Sequence, residues 1–251
     1  YPSLKCFSPL KAERLENGMD VAFVRDIAGG VLCSEKVQRE GHGGREAYEY
    51  EYYNEEIVRK TAKTAFRLAE NRRGKVTNLD KSNVLGSSRL WRQTVNRAAV
   101  EFPQVNLEHL YIDNAAMELI RDPGRFDVFV TSNLFGDIIS DEGTELTGTP
   151  YLYPSAEISG TEQGIYTPNQ LHYPDESVIG KNLVNPIGMI AAAAQMLRLS
   201  FRFEAEAGAI EEAIRQVLAA NIATADIWHK GKILVGTKEM GKRIADEIEA
   251  V

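Results

Sequence analysis

Cysteine is scarce in this chain, and long apolar runs are missing. Cys6 and Cys33 stand alone, without the paired spacing of a zinc site or the density of a disulfide framework. Two isolated thiols suit a reducing compartment, the cytoplasm. The longest apolar stretch, IGMIAAAAQML, is too short to span a bilayer and reads as a buried helix. No signal-peptide pattern opens the sequence. Basic residues are in deficit, 29 against 36 acidic, which gives a formal net charge of −7. Such a surface repels phosphate backbones, so nucleic-acid binding has no support. Internal repeats and low-complexity tracts are absent too.

What remains is 251 residues, enough for one large or two smaller domains. VAFVRDIAGGV (21–31) reads as a β-branched strand closed by a Gly29-Gly30 turn. AYEYEYY alternates with period two, the pattern of a hairpin or arm with one protected face. NEEIVRKTAKTAFRLAENRRG has Asn54 as an N-cap, acids in its first turn, bases in its last and Gly74 beyond, all marks of a helix. KVTNLDKSNV, NLEHLYID and FDVFVT then read as strands. SSRLWRQTVNRAAVEF, NAAMELIRD and NLFGDIISDEGTEL read as the helices between and after them. This alternation predicts a layered α/β architecture. Residues 147–182 lose periodicity to Gly, Pro and Tyr and are expected to be loops. Three further helices are expected in VNPIGMIAAAAQMLRLSFRF, EAEAGAIEEAIRQVLAAN and TKEMGKRIADEIEAV.

NLFGDIISDE (133–142) sets Asp137 and Asp141 four residues apart, on one helix face. Two neighbouring carboxylates repel. A hard divalent cation such as Mg²⁺ or Mn²⁺ would relieve that repulsion, and a solvated acidic face is the plainer reading. The preceding strand puts the metal reading on an even footing, because ligand sites of α/β proteins gather at carboxyl ends of strands. Lys81 and Asp113 also stand at expected strand ends. Lys81 is either solvated or a proton carrier; Asp113 is either a helix cap or part of an acidic site.

The ordered segments YPSLKCFSPLK, VRDIAGGV, DKSNVLGSSRLWR, LEHLYIDNAAM, RFDVFVTSNLFGDIISDE, LTGTPYLYPSA, GKNLVNPIGMI and GTKEMGKRI carry a resemblance that runs nearly end to end. Together they are similar to the isocitrate/isopropylmalate dehydrogenase family of metal-dependent β-decarboxylating dehydrogenases, nearest its isopropylmalate branch. The resemblance implies that family's α/β/α fold with a mixed sheet and two domains. Residues 1–147 would be the central substrate and dimerisation domain, with a β-arm near 32–53. Residues 148–251 would be the C-terminal half of the nucleotide-binding domain. It implies NAD-dependent oxidation and decarboxylation of a 2-hydroxy acid, 3-isopropylmalate to 2-oxoisocaproate in leucine biosynthesis. D-malate, tartrate or a homoisocitrate-like acid are the alternatives.

By the same resemblance Asp137 and Asp141 hold the metal from one subunit of a homodimer. Asp113 reaches in from the other subunit, and Lys81 is the proton-shuttling lysine, also contributed across the dimer. Arg25 clamps a substrate carboxylate, Asn83 lies near the nicotinamide, and Val84 touches the substrate's variable side chain. His172, Asp175, Gly180 and Asn185 meet the NAD.

Two departures stand out. Leu32 occupies the place of a family tyrosine that gives a proton to the enolate, so another group or water takes over, or decarboxylation is impaired, or the chain is a non-catalytic, regulatory member. In the cofactor loop, Tyr173 and Pro174 replace small residues and Thr167 replaces a glutamate. An alternative register puts Gln170 where His172 is expected. No basic cluster supports NADP. The resemblance further implies that a segment with more substrate arginines lies upstream of Tyr1. Without it, residues 1–251 would expose an apolar sheet edge and lack a competent site.

Overall fold

The computed structural model describes residues 2–159, 163–169 and 176–249. They form two compact units: Leu10–Gly143, and the residues on either side of that stretch. The division thus falls after Gly143, and the first residues of the chain join the second unit. Leu4 explains this, because it is buried in that unit's core with Leu152, Ile187 and Ile214.

In the Leu10–Gly143 unit, β1 (Ala22–Arg25) precedes a hairpin of β2 (Val37–Gly41) and β3 (Gly44–Tyr48). Then come α1 (Glu55–Glu70), β4 (Lys75–Asp80), α2 (Gly86–Ala99), β5 (Asn106–Tyr111), α3 (Ile112–Arg121) and β6 (Val128–Thr131). Helix α4 (Asn133–Glu145) follows. The main sheet has the order β1-β6-β4-β5, and every pairing in it is parallel. Parallel strands need crossover connections, which the helices supply. The expected arm is the antiparallel β2–β3 pair, whose β3 is exposed along its length.

Helix α1 starts where Asn54 predicts. The Asn54 side-chain oxygen accepts the Ile57 backbone N–H at 2.9 Å, satisfying a donor that has no partner inside the helix. Val58, Ala62, Ala65, Phe66 and Ala69 recur at helical spacing and are buried. They pack with Trp91 and Val95 of α2 and with Val76, Val128 and Val130 of the sheet. Phe66 stacks on Phe102 at 5.3 Å between ring centres. Side chains alternate along a strand, so Phe129 points to the other sheet face. There it meets Phe23 edge-on at 5.4 Å and Phe126 at 4.8 Å. Gly143 of α4 lies against that Phe23 ring, where a Cβ would stand 2.5 Å from it.

The second unit holds β7 (Pro154–Ile158), β8 (Gly164–Pro168), α5 (Ile187–Leu199), α6 (Glu204–Ala219), β9 (Ile222–Ala223), β10 (Ile233–Leu234) and α7 (Thr237–Glu249). Its core gathers Ile187, Ile214, Leu218, Ile227, Met240 and Ile244. The three expected helices are present. The expected loop region 147–182 contains a regular element, since β7 and β8 pair antiparallel from Pro154↔Pro168 to Ile158↔Gly164. Two prolines that face each other at the open end of this pair, and strands that are nowhere buried, remove the apolar alternation by which a strand is recognised.

Candidate active site

Strand register does the first work of assembly. In the parallel pair β1–β6, Arg25 stands opposite Thr131, two residues before Asn133 opens α4. Arg25 therefore meets the first turns of that helix. Its Nη1 donates to Asp137 Oδ1 at 2.5 Å, and its Nε and Nη2 both donate to Asn133 Oδ1, at 3.0 and 2.8 Å. Gly136 makes this close approach possible. A Cβ there would come within 2.6 Å of Arg25 Cγ.

Asn133 is buried and fixed from three sides. Beyond accepting from Arg25, its Nδ2 donates to the Gly29 carbonyl at 3.0 Å. Its backbone N–H, one of the orphan donors at a helix start, goes to the Tyr53 hydroxyl at 2.8 Å. Tyr53 is itself set by an edge-on contact with Trp91, 5.1 Å between ring centres. Burial raises its phenol far above the ordinary range, so it is a neutral hydrogen-bonding post. The Gly29-Gly30 turn now has its reason. A Cβ on Gly29 would stand 2.7 Å from the Tyr53 ring and one on Gly30 2.5 Å from its hydroxyl, and Gly30 has φ +78°.

A second cluster forms where β4 and β5 end together, with Asp80 opposite Tyr111. Just beyond, Lys81 Nζ donates to Asp113 Oδ1 at 2.6 Å. The Lys81 ammonium holds the Asp113 carboxyl below the ordinary carboxylate range. Beneath them Asp80 is buried and fully engaged. It accepts Arg92 through both oxygens (2.7 and 3.0 Å), Asn78 Nδ2 at 2.6 Å and the Ser82 N–H at 2.9 Å. Lys81 Nζ and Arg92 Cζ lie 5.9 and 5.1 Å from the Tyr111 ring centre, so one aromatic ring serves two cations.

His109 closes this network. Asn78 Nδ2 donates to its Nδ1 at 3.0 Å, and its Nε2 bonds Asn96 Oδ1 at 2.9 Å, which is the neutral tautomer. Burial first, then the Arg92 charge, lowers its pKa from 6.5. The folded chain thus binds fewer protons here than the unfolded chain. Its contribution to stability is complete above that unfolded value and is lost as pH falls from it through the lowered folded one. The melting temperature of the His109→Gln variant should consequently depend less on pH between about 7 and 5 than the parent's. Thermal melts across that range check this; parallel curves for the two proteins would refute it.

The candidate residues fall into these clusters as follows. Arg25 and Asp137 are brought together, and so are Lys81 and Asp113. Asp137 and Asp141 stand one turn apart on α4, Asp137 partly exposed and Asp141 exposed. Their repulsion does not by itself demand a cation, because Arg25 already bonds Asp137. Carboxylate oxygens on an accessible helix face are nonetheless the donors that suit a hard divalent metal. Among the described residues no three His, Cys, Asp or Glu side chains gather closely enough to hold one. Within the chain Asp113 pairs with Lys81, away from the two aspartates of α4. Asn83 and Val84 are exposed in the turn after Lys81, Val84 at 63 %. Leu32 is 43 % exposed in the turn after Gly30. The carbonyls of Val31, Leu32 and Ser34 all accept from Lys36 Nζ, at 2.8, 3.0 and 2.9 Å.

In the second unit, Gly180 has φ +73° and open space around the place of a Cβ. Asn185 is buried, and its side chain is committed within the unit. Its Oδ1 accepts the Ile187 N–H at 3.0 Å and its Nδ2 donates to Asp226 at 3.1 Å. Thr167 lies in β8, paired with Ser155. Gln170, His172, Tyr173, Pro174 and Asp175 lie outside the described residues.

Sequence reasoning passed over Asn133, Tyr53, Asp80, Arg92 and His109. Asn133 did carry a signal, since an asparagine between a strand and a helix is ordinarily a cap. That ordinary role masks the arginine it also holds.

The isocitrate/isopropylmalate dehydrogenase family model matches residues 1–244. The 3-isopropylmalate dehydrogenase of Clostridium acetobutylicum is 44 % identical over 248 residues, covering 99 % of this chain and 69 % of that protein. That of Vibrio vulnificus is 45 % identical over 249 residues, covering 99 % and 68 %. The crystal structure of isocitrate dehydrogenase from Methylococcus capsulatus superposes with a TM-score of 0.80 at 28 % identity, covering 90 % of this chain and 66 % of that one. A Thermus thermophilus protein superposes with a TM-score of 0.81 at 27 % identity, covering 96 % and 48 %.

Proposed function

This chain belongs to the isocitrate/isopropylmalate dehydrogenase family, and from that premise we propose that it oxidises and decarboxylates 3-isopropylmalate with NAD, yielding 2-oxoisocaproate for leucine synthesis. The observation that carries the reading is the Arg25–Asn133–Asp137 arrangement at the start of α4. It sets a guanidinium, the group suited to a substrate carboxylate, beside a carboxylate suited to a divalent cation.

In the proposed reaction the C2 hydrogen leaves as hydride to NAD while the C2 hydroxyl loses its proton. The resulting β-keto acid breaks its C3–carboxylate bond, releasing CO₂ and leaving an enolate that takes a proton at C3. Asp137 and Asp141, with Asp113 of a second copy, would hold Mg²⁺ or Mn²⁺, whose charge stabilises the developing oxyanion. Arg25 orients the substrate through its carboxylate. Lys81 handles the hydroxyl proton, its place fixed by the Tyr111 face and the buried Asp80–Arg92 pair below. Val84, exposed and apolar, suits an isopropyl group better than a third carboxylate. Asn83 is assigned to the nicotinamide side. The backbone around Gly180 and Asn185, with His172 and Asp175, is assigned to the NAD.

The working form is a cytoplasmic homodimer, with each site built from two copies. Among the described residues no helix is long and apolar enough to cross a membrane. The test is NADH formation by the full-length protein with 3-isopropylmalate and Mn²⁺. D-malate, tartrate and homoisocitrate serve as the comparison panel. Turnover with one of these acids alone would move the substrate, and turnover with no malate-type acid would sink the reading.

A further inference from the structure

Arg25 enters the proposed reaction as the carboxylate clamp, but nothing in its own side chain decides which edge of the guanidinium faces the substrate. A guanidinium has five N–H donors in a rigid plane. Three of Arg25's are used: Nε and Nη2 on Asn133 Oδ1, and Nη1 on Asp137 Oδ1. One N–H on each terminal nitrogen remains to meet a carboxylate. The lateral edge is occupied by a residue that is 3 % exposed and bonded to two other elements, Tyr53 and the Gly29 carbonyl.

We propose that Asn133 is a positioning residue: by accepting both lateral N–H groups of Arg25 it locks the guanidinium beside Asp137 and reserves its terminal pair for the substrate carboxylate. Asn133 touches no reacting atom, and it acts through Arg25. The inference rests on the reading of Arg25 as the substrate clamp given above.

The two ends of the Asn133 amide do different work, and this makes the claim separable from plain scaffolding. Oδ1 holds Arg25, whereas Nδ2 holds the Gly29 turn. Asn133→Asp keeps the acceptor and loses the donor; Asn133→Ala loses both. With the full-length protein, Mn²⁺, NAD and 3-isopropylmalate, Asn133→Ala should raise the KM for the acid about tenfold or more, as loss of a hydrogen bond to a charged group implies. The KM for NAD should stay within about twofold of the parent's. Asn133→Asp should restore most of the acid's KM. Solvent exchange of the Arg25 Nε–H, followed by nuclear magnetic resonance, should be slow in the parent and Asn133→Asp and fast in Asn133→Ala.

Equal damage from both variants would show that only the turn matters and would overturn the proposal. So would an unchanged Nε–H exchange in Asn133→Ala. If the parent turns over no malate-type acid, the proposed reaction falls, while the exchange measurement still decides whether Asn133 locks Arg25. An Asn133→Ala protein too unstable to assay leaves the decision to Asn133→Asp, in which a lost Nε–H protection overturns the claim and a retained one supports it.

Discussion

Replacing Asp137 by asparagine is expected to lower kcat/KM for the 2-hydroxy acid about 10³-fold, the scale of losing one preorganised group that holds developing oxyanion charge. Two effects add at this residue. The charge that would bind Mn²⁺ is gone, and the ion pair with Arg25 Nη1 at 2.5 Å becomes a weaker hydrogen bond to a neutral acceptor. Calorimetry with Mn²⁺ alone separates them, since a lost ligand weakens metal affinity in the absence of substrate. The side chain is partly exposed, so melting should shift little. Retained Mn²⁺ affinity in Asp137→Asn would remove α4 from the metal site.

The same variant tests how the site is divided between copies. Within one chain Asp113 pairs with Lys81 rather than with Asp137. Mixed dimers of Asp113→Asn and Asp137→Asn would contain one intact site if Asp113 crosses between subunits. Random reassortment would then recover roughly a quarter of the parent activity from two inactive proteins. No recovery, with mixed dimers shown to form, would place all three aspartates in one chain or none.

Leu32→Tyr is expected to act in the opposite direction, speeding proton delivery to the enolate, and with it completed decarboxylation, about 10²–10⁴-fold, the usual worth of a positioned general acid. Hydride transfer should be unchanged. Leu32 is 43 % exposed, and the Lys36 bonds around it go to backbone carbonyls that the substitution leaves in place. The fold should therefore tolerate the ring within about 0.5 kcal/mol. Parallel measurement of NADH and CO₂ decides the matter. If the parent releases both at one rate and Leu32→Tyr does the same, another group already delivers the proton, and the impaired reading fails. If the parent binds no NAD by calorimetry, the non-catalytic member becomes the better account.

The sequence by itself determined the elements and the residues that act through short chain separation. Asn54 and Gly74 bracket α1 because helix ends leave backbone groups that particular residue types satisfy. Asp137 and Asp141 share a face because four residues make about one turn. The resemblance of whole segments also reached Lys81, Asp113 and Arg25. Where local pattern was weak, in the proline-flanked β7–β8 pair, the element went unread.

Only the tertiary structure decided what these residues do to one another. Arg25 and Asn133 are 108 positions apart, and Tyr53 and Asn133 are 80 apart. Their meeting depends on parallel registers that set Arg25 beside Thr131 and Asp80 beside Tyr111. Register follows from which faces are buried on both sides of the sheet, a property of the packed layers that no short stretch of the chain contains. The pairing of Arg25 with Asp137 was the consequence hardest to foresee. It gives one of two repelling carboxylates, Asp137, a cationic partner in the chain's own arginine.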